Sequence, residues 1–300
     1  MNITIGSRGS ALALWQANWV REQLARAGHE VEVRVIRTSG DRLAQIPLAG
    51  SGVKGLFIKE IEEALVAREI DIAVHSLKDL PAELAPGLAV AAVPARADAR
   101  DALVSAGVAF RALPPGSRVG TSSVRRQSQL QHLRPDLQMV PMRGNIDTRL
   151  RKLERGECDA SVMAAAGLVR LGLESKIYER FAVSEVCPAV GQGALAIEIR
   201  EGDEAVARAA VALDDADTHR AVRAERALLK HLGGGCAVPI AGHAVLANGE
   251  LSLAGVVARP DGSQLIRASA SGAMAAPEDL GRRLADELLR QGAAEILEAS

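Results

Sequence analysis

Short apolar segments alternate with amphipathic helical segments through the first ninety residues, and this alternation restricts the fold more than any other feature. Apolar residues alternate with charged ones over residues 31–35, as in a half-buried strand, and recur at helical spacing over residues 11–27. The strand-like segments are residues 2–6, 31–35, 71–76 and 88–93, and the helical ones are 11–27 and 56–68. Such an order predicts a mostly parallel sheet covered by helices.

The next hundred residues repeat this pattern. The strand-like segments are residues 101–105, 117–120, 138–142 and 159–163, the helical ones are 122–133 and 146–155, and a further strand covers 194–199. Segments near 94–100 and 188–194 would cross between two such domains and leave a cleft. Ligands of open α/β sheets collect beside such a cleft, at the carboxyl ends of the strands.

From about residue 215 the pattern changes to that of an α+β domain. The expected elements are a charged helix over 217–231, strands near 238–246, 250–258 and 264–270, and an amphipathic helix over 277–290. We therefore expect an α/β protein with two periplasmic-binding-protein-like domains flanking a cleft, followed by a C-terminal α+β domain. The expected domains are residues 1–97 with 194–213, residues 98–193, and residues 214–300.

The composition is that of a globular protein with a high share of arginine. Hydrophobic residues make up 48% and charged residues 24% of the chain, as in ordinary globular domains. The formal charge of −1 gives no general attraction to nucleic acid or to an anionic membrane. Only six of the 36 basic residues are lysine, and arginine holds carboxylates through two hydrogen bonds. Because genomic base composition also raises the arginine share, only the placement of particular arginines argues for function.

The cysteines and the N-terminal segment indicate the compartment. Cys158, Cys187 and Cys236 are odd in number, widely spaced and without a CxxC pair, which argues against disulfides and a thiolate zinc site. The six histidines are scattered, so we expect no metal site. Residues 1–6 read as a strand, not a signal peptide, and no apolar run approaches the ~20 residues that span a bilayer. We expect a cytoplasmic protein, monomeric by default.

Two corners of the predicted fold share one design, in which a strand is followed by glycine, hydroxyl residues, arginine and a helix. The first corner (residues 6–10) carries Arg8 and Ser10, and the second corner (residues 120–126) carries Ser123, Arg125 and Arg126. Helix N termini attract anions through unpaired N–H groups. The alternative is ordinary capping with solvated arginines. Two matching corners facing one cleft favour a ligand with several negative charges.

Polar groups directly follow the predicted strand over residues 71–76. Asp79 is the acid of this group, with Lys78 beside it and His75 nearby. A carboxylate at the edge of a binding site stabilises a cationic intermediate or transfers protons. The alternative is a Lys–Asp surface pair before a proline turn.

Two glycine-rich segments are expected to be loops. Residues 38–55 are rich in glycine and lack periodicity, as in a lid, with Lys54 near the end. Cys236 follows three glycines, which suit a loop whose backbone approaches another group closely. Its thiol is a candidate for covalent attachment of a cofactor, and the alternative is a small buried apolar residue.

Seven ordered segments make the chain resemble the porphobilinogen deaminase family over nearly its whole length. They are residues 7–16 (SRGSALALWQ), 54–57 (KGLF), 75–79 (HSLKD), 120–127 (GTSSVRRQ), 143–145 (RGN), 188–193 (PAVGQG) and 234–239 (GGCAVP). The resemblance implies that four porphobilinogens are joined head to tail into the linear hydroxymethylbilane, with release of ammonia, in tetrapyrrole and haem biosynthesis.

The resemblance also assigns residues. Cys236 would carry a dipyrromethane cofactor through a thioether, and Asp79 would stabilise the cation formed on deamination and contact pyrrole N–H groups. The implied cofactor-binding residues are Lys78, Ser123, Arg125, Arg126, Arg143 and Gln192. The residues implied to bind substrate acetate and propionate groups are Arg8, Ser10, Lys54, Ser76, Arg149 and Arg170.

Two departures from the family pattern and two rival interpretations remain open at this point. Gly50 stands where some relatives carry lysine, and Gly233 stands where an acid is common. A two-lobed solute-binding protein for small anions would explain the cleft and the two corners, but it leaves Cys236 without a role. A nucleic-acid binder using the Arg125–Arg126 helix is disfavoured by the charge of −1 and the 2% aromatic content.

Overall fold

The computed structural model describes residues 1–39, 58–234, 238–247 and 249–298. The predicted lid over residues 38–55 lies almost entirely outside these ranges, together with Lys54 and Gly50. The thiol of Cys236 lies outside them as well.

In the described ranges the order of elements follows the alternation seen in the sequence. The strands are β1 (Asn2–Ser7), β2 (Glu30–Val35), β3 (Ile72–Ser76), β4 (Leu88–Ala92), β5 (Asp101–Ser105), β6 (Arg118–Gly120), β7 (Gln138–Val140), β8 (Ala160–Ala164), β9 (Glu179–Arg180), β10 (Leu195–Arg200), β11 (Ile240–Ala247), β12 (Glu250–Ala258) and β13 (Leu265–Ala273). The α-helices are α1 (Ala11–Arg26), α2 (Lys59–Val66), α3 (Val124–Leu133), α4 (Ile146–Glu154), α5 (Ala165–Arg170), α6 (Glu204–Val211), α7 (Ala216–His231), α8 (Pro277–Leu288) and α9 (Ala294–Glu298).

The first two sheets have the same topology. Their strand orders are β2-β1-β3-β10-β4 and β7-β6-β8-β5-β9. In each sheet four strands run in one direction, and the strand in the fourth position, β10 or β5, is antiparallel to both neighbours. The expectation of mostly parallel sheets is therefore confirmed, with one reversed strand in each. Each reversed strand follows directly on a segment predicted to cross between domains.

Helices cover both faces of the first sheet because its strands are apolar on both sides. Val74 of β3 and Ile197 of β10 pack with Val20 and Leu24 of α1. On the opposite face, Ala73 of β3 packs with α2. Successive strand residues point to opposite faces of a sheet. Polar side chains of β3 that lie two residues from Ala73 are therefore on the α2 face.

The second sheet is covered in the same way. On one face, Leu103 and Val119 pack with Leu130 of α3. On the other face, Val104 packs with Leu150 of α4 and with α5. The first residues of α3 and α4 follow directly on strands β6 and β7, so the helix N termini lie at the carboxyl ends of these strands.

The third sheet is antiparallel, with the order β11-β12-β13. Leu253 and Val257 of β12 pack with Leu228 of α7 and with Leu284 and Leu288 of α8. This arrangement of helices on an antiparallel sheet is the expected α+β fold.

Contacts divide the chain into two compact units. The first contains Met1–Ala97 and Ala194–His219, and the second contains Asp98–Gly193 and Arg220–Ser300. The first sheet lies in the first unit, and the second and third sheets lie in the second. The division at residues 213 and 214 stays a prediction. Within the described ranges, none of the helices is both long and apolar enough to span a bilayer.

Candidate functional site

The first corner joins β1 to α1 through a capped helix start. Ser10 is the N-cap of α1, and its hydroxyl accepts a hydrogen bond from the backbone N–H of Ala13 at 3.3 Å. Such a cap satisfies one of the unpaired N–H groups of the first turn. The first turn of α1 contains no acid, so the positive end of the helix dipole is not offset locally.

Asp79 is presented by a 3-10 turn, Leu77–Asp79, directly after β3. The apolar residues on either side, Leu77 and Leu80, are buried at 1% and 3% exposure and fix the turn. Asp79 itself is exposed, and its carboxylate makes no hydrogen bond or ion pair with a described residue. The turn therefore places an unpaired carboxylate at the end of the strand.

A cavity brings Asp79 together with the first corner. It is lined by Arg8, Ser10, Gln16, Ser76 and Asp79, among others, and holds about 430 Å³ of empty space, part of which is open to solvent. Ser76 is fixed by Gln16 of α1, whose side-chain amide donates to the Ser76 hydroxyl at 2.8 Å. The cavity thus combines one carboxylate with a guanidinium and two hydroxyls. We call it the Asp79 cavity.

The second corner leaves a hydroxyl without a partner. Ser123 is the N-cap of α3, but its side chain makes no capping hydrogen bond. The other two hydroxyls of the corner are used within the loop, since Thr121 accepts from the Ser123 N–H at 3.2 Å and Ser122 accepts from the Met142 N–H at 2.9 Å. The Ser123 hydroxyl and the N–H groups of α3 are thus available to an anion.

Arg125 and Arg126 are buried, so the alternative of solvated arginines at the second corner is wrong. Their exposed fractions are 6% and 5%, and Asp101 between them is fully buried. Asp101 Oδ2 lies 2.8 Å from Arg125 Nη1, and Asp101 Oδ1 lies 2.7 Å from Arg126 Nη2. Gln192 also donates to Asp101 Oδ1, at 2.9 Å, and is fully buried. We call these four residues the arginine cluster.

The arginine cluster carries more positive than negative charge. Although complete burial alone would raise the pKa of Asp101, the charges of Arg125 and Arg126 hold it at about 2, so Asp101 is ionised. Burial lowers the pKa of Arg125, and Asp101 opposes that effect. Two guanidinium groups face one carboxylate, and Arg125 Nε is buried without a hydrogen-bond partner in the described ranges. One further anionic group would balance the charge.

Gln192 is a buried member of the arginine cluster with three side-chain hydrogen bonds. Its amide donates to the Ala99 carbonyl at 2.7 Å and to Asp101, and its carbonyl accepts from Arg126 at 3.3 Å. Within the arginine cluster, Gln192 orients Asp101 and Arg126.

Three other predicted arginines lie near strand ends or helix ends of the second unit. Arg143 is exposed in the loop before α4. Arg149 on α4 donates to the Gly144 carbonyl at 2.8 Å. Arg170 at the end of α5 donates to the Gly193 carbonyl at 2.7 Å, and burial lowers its pKa to about 10. Lys78 lies on the Leu77–Asp79 turn of the first unit and is half-buried.

The glycines before Cys236 end helix α7. Gly233 has φ +66°, the left-handed conformation that favours glycine. At Gly234 a Cβ would lie 2.6 Å from side-chain atoms of Leu229 and Ile240, so a larger residue would displace one of them. The described backbone that precedes Cys236 is therefore tightly packed at Gly234.

The two other cysteines are unsuited to nucleophilic chemistry. Cys158 and Cys187 are buried and form no disulfide. Burial raises the pKa of both thiols, that of Cys187 to about 12. Since the thiolate is the nucleophilic form, burial and a raised pKa disfavour nucleophilic chemistry at both sulfurs.

The sequence did not indicate three buried acids that organise the site. Asp101 holds the arginine cluster, and Glu198 contacts His75. Glu225 of α7 accepts from the N–H groups of Gly191 and Ala244, each at 2.7 Å. An acid inside an otherwise apolar strand, as in LAIEIR around Glu198, was the available signal. Across the described ranges, no three His, Cys, Asp or Glu side chains lie close enough to hold a metal ion.

The fold and the polar corners define the class: an α/β protein whose strand ends carry hydroxyl and arginine groups suited to an anionic ligand. Residues 3–208 match the family model "Porphobilinogen deaminase, dipyromethane cofactor binding domain", and residues 219–290 match "Porphobilinogen deaminase, C-terminal domain". The chain therefore belongs to the porphobilinogen deaminase family.

Individual relatives match the chain from end to end. Porphobilinogen deaminase of Pelobacter propionicus is 52% identical over 298 residues, which cover 99% of this chain and 96% of the relative. Porphobilinogen deaminase of Syntrophotalea carbinolica is 51% identical over 300 residues, covering 99% and 95%. Among solved structures, a periplasmic substrate-binding protein of an ABC transporter from Coxiella burnetii is similar over 70% of this chain and 91% of its own, with a TM-score of 0.44 and 15% identity.

Proposed function

We propose that the chain is a hydroxymethylbilane synthase, which joins four porphobilinogens head to tail on a dipyrromethane primer and releases ammonia, as a step of haem biosynthesis. The observation that carries this proposal is the match to both family models, with about 50% identity to deaminases over 99% of the chain. The alternative of a small-anion solute-binding protein is not favoured, because these end-to-end relatives are deaminases.

The second unit fits a dipyrromethane cofactor. Each pyrrole ring brings two carboxylates, and the arginine cluster has an unbalanced positive charge and a buried Arg125 Nε without a partner. We propose that Ser123, Arg125, Arg126 and Arg143 hold these carboxylates, with Gln192 orienting Arg126. The cofactor-binding role that the resemblance implies for Lys78 stays a prediction. When bound, the cofactor supplies the ring carbon to which the first porphobilinogen is added.

The proposed tether is Cys236. Cys158 and Cys187 are buried with raised pKa values, so Cys236 is the cysteine best suited to form a thioether. Covalent attachment keeps the growing chain in place and converts each addition into a positioned reaction.

The carboxylate of Asp79 is the proposed catalytic group. In the Asp79 cavity its unpaired carboxylate stabilises the positive charge that develops when the aminomethyl group of the substrate loses ammonia. Arg8, Ser10 and Ser76 line the same cavity and bind the substrate's acetate and propionate groups.

The remaining proposals concern further binding residues and the cellular setting. We propose that Lys54, Arg149 and Arg170 bind carboxylates of the growing chain. We also propose that the protein works as a cytoplasmic monomer on porphobilinogen, without nucleic acid or membrane as partner. The three-domain division, with boundaries near residues 97, 193 and 213, belongs to the same proposal.

The test is the intact mass of the purified protein. We expect a mass above that of the 31.5 kDa chain by one dipyrrole, and formation of bilane from porphobilinogen. Cys236→Ala is expected to have the bare mass and no activity, and the matched control Cys158→Ala is expected to keep both the added mass and the activity. A bare mass in active wild-type protein would refute the proposal.

A further inference from the structure

Beside the Asp79 cavity lies a group of ionisable side chains, two of them buried and one half-buried, that the proposed function does not use. Glu198 of β10 pairs in register with Ala73 of β3, which places its side chain diagonally next to His75 on the α2 face of the sheet. His75 Nε2 lies 3.0 Å from Glu198 Oε2, with side-chain exposures of 4% and 0%.

Helix α2 adds a second carboxylate, Glu62. Burial raises the pKa of Glu62, the charge of Glu198 raises it further, and His75 lowers it. Oε1 of Glu62 and Oε1 of Glu198 are buried and accept no hydrogen bond from a described residue. Two carboxylates and one imidazole therefore lie within interaction distance of one another. We call Glu62, His75 and Glu198 the His75 cluster.

The neighbouring cation on β10 does not balance the His75 cluster. Arg200 contacts Asp71 at 3.1 Å and Asp203 at 2.9 Å, and it donates to two backbone carbonyls. The other charged groups on α2 are Glu60 and the exposed pair Lys59–Glu63. Arg8, Lys78 and Asp79 follow the ends of β1 and β3. Since a buried polar pair is weak evidence for a role in stability, the question is what chemistry His75 and Glu198 could perform.

His75 also lines the Asp79 cavity, together with Ser76 and Asp79. His75 thus contacts Glu198 and belongs to the lining of the proposed substrate cavity. This is the arrangement of an imidazole that is oriented by a carboxylate and exchanges protons with a ligand.

The proposed condensation requires a proton acceptor. The C–N bond of the protonated aminomethyl group breaks, and its electron pair leaves with ammonia. An electron pair of the acceptor ring forms the new C–C bond to the methylene carbon, and the hydrogen on that ring carbon leaves as a proton. Asp79 accounts for the positive charge of the first step, and the second step needs a base.

We propose that His75 accepts the ring proton at each condensation and that Glu198 is the positioning residue that orients the imidazole and stabilises its charged form. This inference rests on the proposed function. The proton passes from the ring carbon to His75 and then to water before the next addition. Imidazole suits this role because it takes up and releases protons near neutral pH.

The test compares His75→Asn and Glu198→Gln with the matched control His219→Asn. His219 forms a similar contact with a carboxylate, 2.8 Å from Asp214, in the same unit but outside the Asp79 cavity. The substrate is porphobilinogen with either hydrogen or deuterium on its free ring carbon. Intact mass reports cofactor loading, and thermal unfolding reports stability.

We expect all three variants to load the cofactor and to keep KM within about threefold. For His75→Asn, kcat falls about 100-fold, the magnitude typical of a lost general base, and a deuterium isotope effect on kcat appears because ring deprotonation becomes rate-limiting. For Glu198→Gln, kcat falls about tenfold with an isotope effect in the same direction, and Tm stays within a few degrees. The control keeps the wild-type kcat.

The proposal is overturned if loaded His75→Asn keeps the wild-type kcat and isotope effect. Should His75→Asn fail to fold, Glu198→Gln decides: a near-normal kcat without an isotope effect rejects the proposal. Wild-type protein that carries no dipyrrole and forms no bilane would instead reject the proposed function itself, so the two failures are distinguishable.

Discussion

The two polar corners start from one sequence design and end in opposite surroundings. In the first corner, Arg8 and Ser10 line an open cavity beside Asp79. In the second corner, Arg125 and Arg126 are buried around Asp101. The motif alone therefore determines a helix start at a strand end, but not whether its arginines reach solvent.

The position of the arginine relative to the N-cap explains the difference. Arg8 precedes the N-cap Ser10, whereas Arg125 and Arg126 follow the N-cap Ser123 and lie in the first turn of α3. Cations in the first turn oppose the helix dipole, and the first turn of α3 contains no acid. Asp101 at the start of β5 supplies the missing negative charge from outside the helix. We infer that the first corner serves the chemistry and the second holds a permanent anion.

The largest effect expected from this contrast is at Asp79. Asp79→Asn is expected to lower kcat by about 1,000-fold, because removing a charge that stabilises a developing cation costs this much. Its Tm should equal that of the wild type, since the carboxylate is exposed and has no described partner. Steady-state kinetics and thermal unfolding check both points, and turnover within tenfold of wild type would remove Asp79 from the reaction.

At Asp101, in contrast to Asp79, a loss of stability is expected. Asp101→Asn should cost about 3–5 kcal/mol of unfolding free energy, because two buried guanidinium groups lose their partner. The pKa of Asp101 is depressed to about 2, so its contribution is present above pH ~4 and is lost as pH falls toward 2. Urea unfolding between pH 7 and pH 3 measures this. The exposed pair Asp159–Arg118 is the control, and Asp159→Asn should change little; a comparable loss there would contradict the contrast.

A smaller effect is expected at the arginine of the first corner. Arg8→Ala is expected to raise KM about tenfold and to keep kcat within about threefold of the wild type. The reason is that a contact with a substrate carboxylate that is equally strong in the ground state and the transition state contributes to binding alone. Arg26 at the far end of α1 provides the control, because it is exposed in the last turn of the helix. An unchanged KM in Arg8→Ala would show that the first corner does not bind substrate.

The smallest effect is expected at Glu62 of the His75 cluster, and it concerns stability. The folded-state pKa of Glu62 is raised by burial, so ionised Glu62 is less stable in the folded than in the unfolded protein. Below the pKa that Glu62 has in the unfolded protein, its burial does not lower the unfolding free energy. The unfolding free energy falls as pH rises through the higher pKa that Glu62 has in the folded protein. Glu62→Gln should therefore stabilise the protein by about a few tenths of a kcal/mol at pH 8, because solvent screens a partly exposed group. The gain should vanish near pH 4, and a gain at pH 4 alone would contradict this sign.

The strong periodic elements were predictable from sequence to within a residue or two. The helix expected over 217–231 is Ala216–His231, and that expected over 11–27 is Ala11–Arg26. Helix α5 was missed because four of its six residues are buried, which removes the amphipathic pattern. Helix α6 was missed although Asp203 accepts a capping hydrogen bond from Val206; that N-cap acid was the available signal.

The site was predictable where strand ends bring polar residues together, as with Asp79, Ser76 and the first corner. The partners of the buried charges were not predictable from sequence, because the order of strands in the sheet decides which residues become neighbours. Asp101 and Glu198 are single acids in the reversed strands β5 and β10, whose neighbours are fixed by strand register, not by local sequence. Thus the polar groups that line the Asp79 cavity are among the residues singled out from the sequence, whereas the buried acids Asp101 and Glu198 are not.

The central claim is that the second corner holds the cofactor while the first corner carries out the chemistry. It is tested most directly by the intact masses of Asp79→Asn and Arg125→Gln, purified side by side and shown to be folded. We expect Asp79→Asn to carry the added dipyrrole and be inactive, and Arg125→Gln to have the bare chain mass of 31.5 kDa. A bare Asp79→Asn together with a fully loaded Arg125→Gln would contradict the claim.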